Sequence, residues 1–130
     1  MLALDTSVLI ELEDENEKVM EILSELRKSH PEKIVIPFPV FSEFYYGLLR
    51  ISGNIDKNLE FLQSFPILNS TENSARLFSQ IKLGLEKRGR AMELFDMLIA
   101  AISIDSDVTL ATADKAFKRI PDLKLFLIKL

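Results

Sequence analysis

Apolar residues in this chain come in short blocks, and the spacing inside each block changes from one to the next. Leu2-Ala3-Leu4 is a continuous apolar run that ends at Asp5-Thr6-Ser7. It predicts a buried strand and a polar turn, with Asp5 or Thr6 placed to cap a helix after it. From Asp14 to Ser29, Val19, Ile22, Leu23 and Leu26 recur every three or four residues between charges, as on an amphipathic helix. Lys33 to Ile36 is largely β-branched and stops at Pro37, a second strand. Val40, Phe41, Phe44, Tyr45, Leu48 and Leu49 then form a wide apolar stripe on a helix that carries Glu43 and that Gly53 breaks. Ile55 to Phe65 reads as another helix and Pro66 to Leu68 as a short strand.

Ser70 or Thr71 can cap a long helix with Leu77, Phe78, Ile81 and Leu85 on one face, ended by Gly89. A helix over Leu94–Asp105, a strand over Val108–Ala111, a short helix over Ala113–Arg119 and a last strand over Leu125–Ile128 complete the series. Strands alternate with helices, and the strands are apolar on both faces. That pattern predicts an α/β fold, a three-layer α/β/α sandwich around a parallel sheet of four to five strands. With no repeat, linker or low-complexity stretch, residues 1–130 read as one domain.

Composition narrows the chemistry. At 48% hydrophobic and 28% charged, the chain suits a folded soluble protein rather than a disordered one. No apolar run approaches the roughly 18–20 residues of a membrane-spanning helix. The opening Met1-Leu-Ala-Leu-Asp5 lacks the basic lead of a secretory signal. Cysteine is absent, which removes disulfides, thiol catalysis and thiolate metal sites, and a cytoplasmic location is the simplest fit. The lone histidine, His30, precedes Pro31 and reads as a loop residue with no partner for a relay. Sixteen basic against twenty acidic residues give a net charge of −4, so bulk electrostatics disfavour duplex binding. Any catalysis falls to carboxylates.

Four acids stand where such a fold places ligands, beyond the carboxyl ends of parallel strands. Asp5 ends the first strand, Glu43 lies on the helix after the second, Asp96 sits in the first turn of the helix before the fourth, and Asp114 follows that strand. If they converge, their mutual repulsion raises their pKa values unless a cation sits among them. Oxygen donors without imidazole or thiolate suit Mg²⁺ or Mn²⁺. Such ions activate water and stabilise phosphoryl charge, which makes phosphodiester hydrolysis the matching reaction. Each acid also has a structural explanation: Asp5 and Asp114 as caps, Asp96 as a partner of the helix dipole, Glu43 on a solvated helix face. The run Glu11, Glu13, Asp14, Glu15, Glu17 reads as a solvated helix start, and Glu93 as a possible extra ligand three residues before Asp96.

The segments Leu4-Asp5-Thr6-Ser7, Ser42-Glu43-Phe-Tyr-Tyr-Gly47, Phe95-Asp96-Met-Leu-Ile-Ala-Ala101 and Leu110-Ala-Thr112-Ala-Asp114-Lys-Ala-Phe117, in this order, resemble the PIN-domain ribonucleases, and within them the VapC-type toxins of toxin–antitoxin pairs. The resemblance covers nearly the whole chain. It implies a PIN-like fold and a metal-dependent endoribonuclease, with Asp5, Glu43, Asp96 and Asp114 as the acidic metal-binding set and Thr6 and Thr112 as its polar supporters. It also implies an RNA substrate, a cognate antitoxin and a homodimer.

Two basic clusters, Lys87, Arg88 and Arg90 before Asp96 and Lys115, Lys118 and Arg119 after Asp114, are candidate phosphate contacts, or else ordinary helix-end and surface cations. Phe44, Tyr45 and Tyr46 are candidates for base stacking, core packing or a dimer surface. Two competing readings remain. An aspartyl-phosphate phosphatase needs a second acid where Ser7 stands, and a receiver domain needs a phosphoacceptor acid where the third strand runs into Asn69-Ser-Thr. A non-enzymatic interaction module would use the same apolar helix faces without binding metal.

Overall fold

Leu2, Ala3 and Leu4 are completely buried, and the sheet is built outward from them as strand β1. The computed structural model describes residues 1–29 and 33–130; the loop reading of His30 lies outside the described residues. After β1 come helices α1 (Thr6–Glu13) and α2 (Glu17–Ser29), strand β2 (Ile34–Pro37), and helices α3 (Phe38–Leu49) and α4 (Asp56–Gln63). Strand β3 (Ile67–Leu68), helices α5 (Glu72–Lys87) and α6 (Leu94–Asp105), strand β4 (Thr109–Thr112), a 3₁₀ turn (Lys115–Arg119) and strand β5 (Leu125–Leu127) complete the chain. The five strands form one parallel sheet in the order β3-β2-β1-β4-β5, with Ala3 opposite Val35 on one side and Leu110 on the other. Six α-helices flank it, and no helix among the described residues is long and apolar enough to cross a membrane.

One segment departs from the sequence reading. The acidic run between residues 11 and 17 is a junction between two helices. Glu11 and Glu13 close α1, Glu15 turns the chain with φ +57°, and Glu17 opens α2. Asn16 caps α2 by accepting from the Val19 amide at 3.1 Å, and its own amide donates to Glu11 at 2.9 Å. Glu13 accepts from Asn58 of α4 at 3.1 Å. Two of the five acids therefore tie elements together, and the helix expected from Asp14 begins at Glu17 instead.

The remaining boundaries reflect local chemistry. Thr71 caps α5 in a reciprocal box with Ser74, each hydroxyl accepting from the other residue's amide. At the other end Gly89, with φ +65°, reverses the chain: its amide donates to Glu86 O and the Arg90 amide to Leu85 O. That paired termination needs a left-handed residue, which glycine adopts without strain. Helix α6 buries Met97, Ile99, Ala100, Ala101, Ile102 and Ser103 and packs along α5 and α3. This burial fixes the position of its first turn, which carries Asp96.

Candidate active site

The strand order reverses at β1, with β2 and β3 to one side and β4 and β5 to the other. In a parallel sheet that reversal opens a crevice beyond the carboxyl ends of the strands beside it. Here those are β1, which runs into Asp5, and β4, which ends at Thr112 and leads to Asp114.

Asp5 holds the N-cap position of α1, yet its side chain makes no capping bond. Its carboxylate instead accepts from the Thr112 hydroxyl at 2.6 Å and from the Ser7 hydroxyl at 3.2 Å. Thr112 is fully buried and Asp5 nearly so. The same hydroxyls accept in turn: Thr112 Oγ1 from the Asp114 amide at 3.0 Å, Ser7 Oγ from the Ala113 amide at 3.2 Å. The ends of β1 and β4 are thus joined through one carboxylate. Burial pushes the Asp5 carboxyl pKa up, the hydrogen bonds from Thr112, Thr6 and Ser7 oppose it, and the charge of Asp114 adds to the rise.

Glu43, on α3, accepts from the Thr6 hydroxyl at 3.0 Å. Burial raises its pKa against that bond, and Asp5 and Glu93 raise it further by repulsion. Asp96, half-buried in the first turn of α6, is pushed up to about 7, first by burial and then by the charges of Asp5, Asp114, Glu43 and Glu93. The four acids singled out in the sequence therefore act on one another across four separate elements. Asp114 also does what a cap does, with one oxygen accepting from the Ala116 amide at 2.9 Å. Asp96, Asp114 and Glu93 line an open cavity of about 490 Å³ with Ala91, Met92 and Arg119. Among the described residues none of Asp5, Glu43, Asp96 and Asp114 has a basic ion-pair partner.

As placed, no three acids among the described residues stand close enough together to grip an ion. The donor chemistry nevertheless fits a hard divalent cation. The set is all carboxylate oxygen, it lacks a neutralising base, and its mutual repulsion is the field a cation would relieve.

Two polar residues gain a place that the sequence pattern does not give them. Ser7 stands two residues after Asp5, close enough for its hydroxyl to turn back onto the carboxylate, whereas in the sequence it counts only as the acid a phosphatase would lack. Glu93 raises both Glu43 and Asp96. Of the basic candidates, Arg88, Arg90 and Lys115 line one open cleft with Lys118, Arg119 and Pro121. Lys87 leaves that set, because it borders a separate, largely apolar groove with Leu77, Ile81 and Ile104. Phe44 is buried against Phe61, with ring centroids 6.1 Å apart, which removes it as a base-stacking platform. Tyr45 packs on Phe41, whereas Tyr46 is exposed beneath the Arg50 guanidinium.

The family profile described as PIN domain matches residues 2–123. Among solved structures, VapBC2 from Rickettsia felis, bound to a DNA fragment from their promoter, superposes with a TM-score of 0.85 at 25% identity, over 98% of each chain. FitAcB from Neisseria gonorrhoeae superposes at 0.80 with 25% identity, covering 97% of this chain and 96% of that one. VapBC-5 from Mycobacterium tuberculosis, a member of the VapBC family of toxin–antitoxin systems, shares the fold at 0.69 and 18% identity, over 98% and 97% of the two chains. No curated protein sequence matches the chain.

Proposed function

The chain belongs to the PIN-domain family, and from that premise we propose that residues 1–130 form a single-domain, metal-dependent endoribonuclease, the toxin of a cytoplasmic toxin–antitoxin pair. The observation that carries the reading is Asp96, whose pKa is driven to about 7 by burial and by four other acids that have no cation among them. An isolated cap or dipole partner does not gather such a field.

Asp5 and Asp96 would hold the principal ion, and Glu43 and Asp114 would complete its shell or that of a second. Bound Mg²⁺ or Mn²⁺ supplies a nucleophile near neutral pH and offsets charge on the phosphoryl group. Thr112 and Ser7 fix the orientation of Asp5 through hydroxyl donation, and Thr6 does the same for Glu43. Those bonds hold the charged forms of two acids that burial opposes, so the site is ready to receive a cation without first losing protons. The matching solved structures include toxin–antitoxin complexes, and by extension the partners here are an antitoxin and a second copy of the chain. Exposed Tyr46, Leu49 and Ile51 at the end of α3 offer apolar surface to either.

The test is RNA cleavage with Mg²⁺ or Mn²⁺, run beside a chelator control and an Asp96→Asn control. Cleavage lost in both controls supports the reading, and cleavage that persists in either contradicts it. If neither cleavage nor metal binding occurs, a PIN-like interaction module is the better description.

A further inference from the structure

Beside the acidic cavity lies a second one of opposite sign. Arg88, Arg90, Lys115, Lys118 and Arg119 line an open cleft of about 460 Å³, and Arg119 borders both cavities. The cations come from two stretches of chain brought together by specific backbone chemistry. The left-handed turn at Gly89 brings Arg88 and Arg90, one on each side of it, to the cleft. The 3₁₀ turn that Asp114 caps supplies the other three. Arg88 donates to Arg119 O at 3.2 Å, and Arg119 donates to Ala91 O at 2.6 Å, which holds the two stretches together.

Among the described residues none of the five forms an ion pair. Their only side-chain hydrogen bonds there run to carbonyls, which leaves the positive charge unneutralised. In a chain with twenty acids and sixteen bases, this is segregation of charge rather than an average surface. The acidic cavity by itself repels a polyanion, and an adjoining cleft with five unpaired cations offsets that repulsion on one side.

We propose that this cleft is a subsite for backbone phosphates of the RNA strand, holding the nucleotides on one side of the bond presented to the acidic cavity. The assignment rests on the ribonuclease reading above. Its recognition is of phosphate charge, so it places the strand without selecting its sequence.

The variant that tests it is Arg90→Ala combined with Lys118→Ala. Neither side chain makes a hydrogen bond among the described residues, so the ties through Arg88 and Arg119 are kept. The probe is single-stranded RNA, bound to the full chain in the presence of chelator over a range of salt concentrations. Each phosphate contact removed lowers the slope of log affinity against log salt by about 0.7, so the double variant should lose about 1.4. Binding at low salt should weaken several-fold, while Mn²⁺ affinity stays unchanged and Lys87→Ala leaves the slope alone.

An unchanged slope and affinity in the double variant overturns the subsite, as does an equal loss in Lys87→Ala. The two readings fail separately. Metal-dependent cleavage with an unchanged slope removes the subsite and keeps the nuclease. A reduced slope in a chain that never cleaves keeps the subsite and removes the nuclease.

Discussion

The two ends of α6 carry acids that the fold treats in opposite ways. Asp105, in the last turn, sits at the end where the helix dipole disfavours negative charge. The fold compensates it: Thr71 donates to one oxygen at 2.6 Å and Asn73 to the other at 2.7 Å, holding its pKa below the usual range. Two residues on, Asp107 is paired with Lys124 at 2.8 Å and its pKa is lowered as well. Asp96, in the first turn where the dipole should favour its charge, is instead pushed up to about 7 by burial and by neighbouring acids. An acid that only has to be accommodated receives donors, whereas the acids at the carboxyl edge of the sheet are gathered against their own repulsion. That contrast separates structural acids from candidate ligands more clearly than residue type or exposure does.

The largest effect separating the two ends should be catalytic. Asp5→Asn and Asp96→Asn should each reduce RNA cleavage by about a hundredfold or more, the scale on which loss of one preorganised charge slows a site. Asp105→Asn should cleave like the parent. Equal losses at both ends of α6 in a cleavage assay would break the comparison.

Metal comes next. Mn²⁺ at about one hundred times its dissociation constant should stabilise the chain by about 2.7 kcal/mol, read as a rise in melting temperature that chelator reverses. Asp105→Asn should keep that rise and Asp96→Asn should lose most of it.

A smaller effect, of defined sign, concerns pH without metal. The Asp96 carboxyl rises from 3.8 to about 7 on folding, so between those values the native state binds more proton than the unfolded chain. Stability should therefore fall as pH rises through that window. Asp96→Asn removes the penalty and should stabilise the metal-free chain near pH 8 by on the order of 1–2 kcal/mol, allowing for solvent screening of a half-buried group. The gain should vanish below about pH 4, where the carboxyl is protonated in both states. Denaturant midpoints at the two pH values measure it.

The smallest effect has the reverse sign. With its pKa lowered on folding, Asp105 contributes stability above its ordinary range that is lost as pH falls. Asp105→Asn should slightly destabilise the chain at neutral pH and change nothing in acid, and a stabilising Asp105→Asn would contradict the contrast.

Much of this arrangement is legible in the sequence. Strands buried on both faces declare themselves as Leu2-Ala-Leu4 and Val108-Thr-Leu-Ala111, and acids that follow such runs fall by topology at one edge of a parallel sheet. Helix α1 is hidden because it is short, and because the acids closing it continue into those opening α2. Only the left-handed Glu15 and the capping Asn16 mark the break. Ser7 and Arg119 are harder for another reason. Their roles depend on partners far along the chain, Ala113 and Ala91, that no local pattern announces. Lys87 and Arg88 are neighbours in sequence yet diverge because they point from α5 and from its cap: Lys87 is the helix's last residue, bordering the apolar groove, whereas Arg88 caps it and also reaches the basic cleft.

The most direct test of the central claim is calorimetric titration of Mn²⁺ into three proteins, the parent chain, Asp96→Asn and Asp105→Asn. The account predicts binding by the parent and by Asp105→Asn, with binding abolished or strongly weakened in Asp96→Asn. Equal Mn²⁺ binding by all three, or none by the parent, would contradict it.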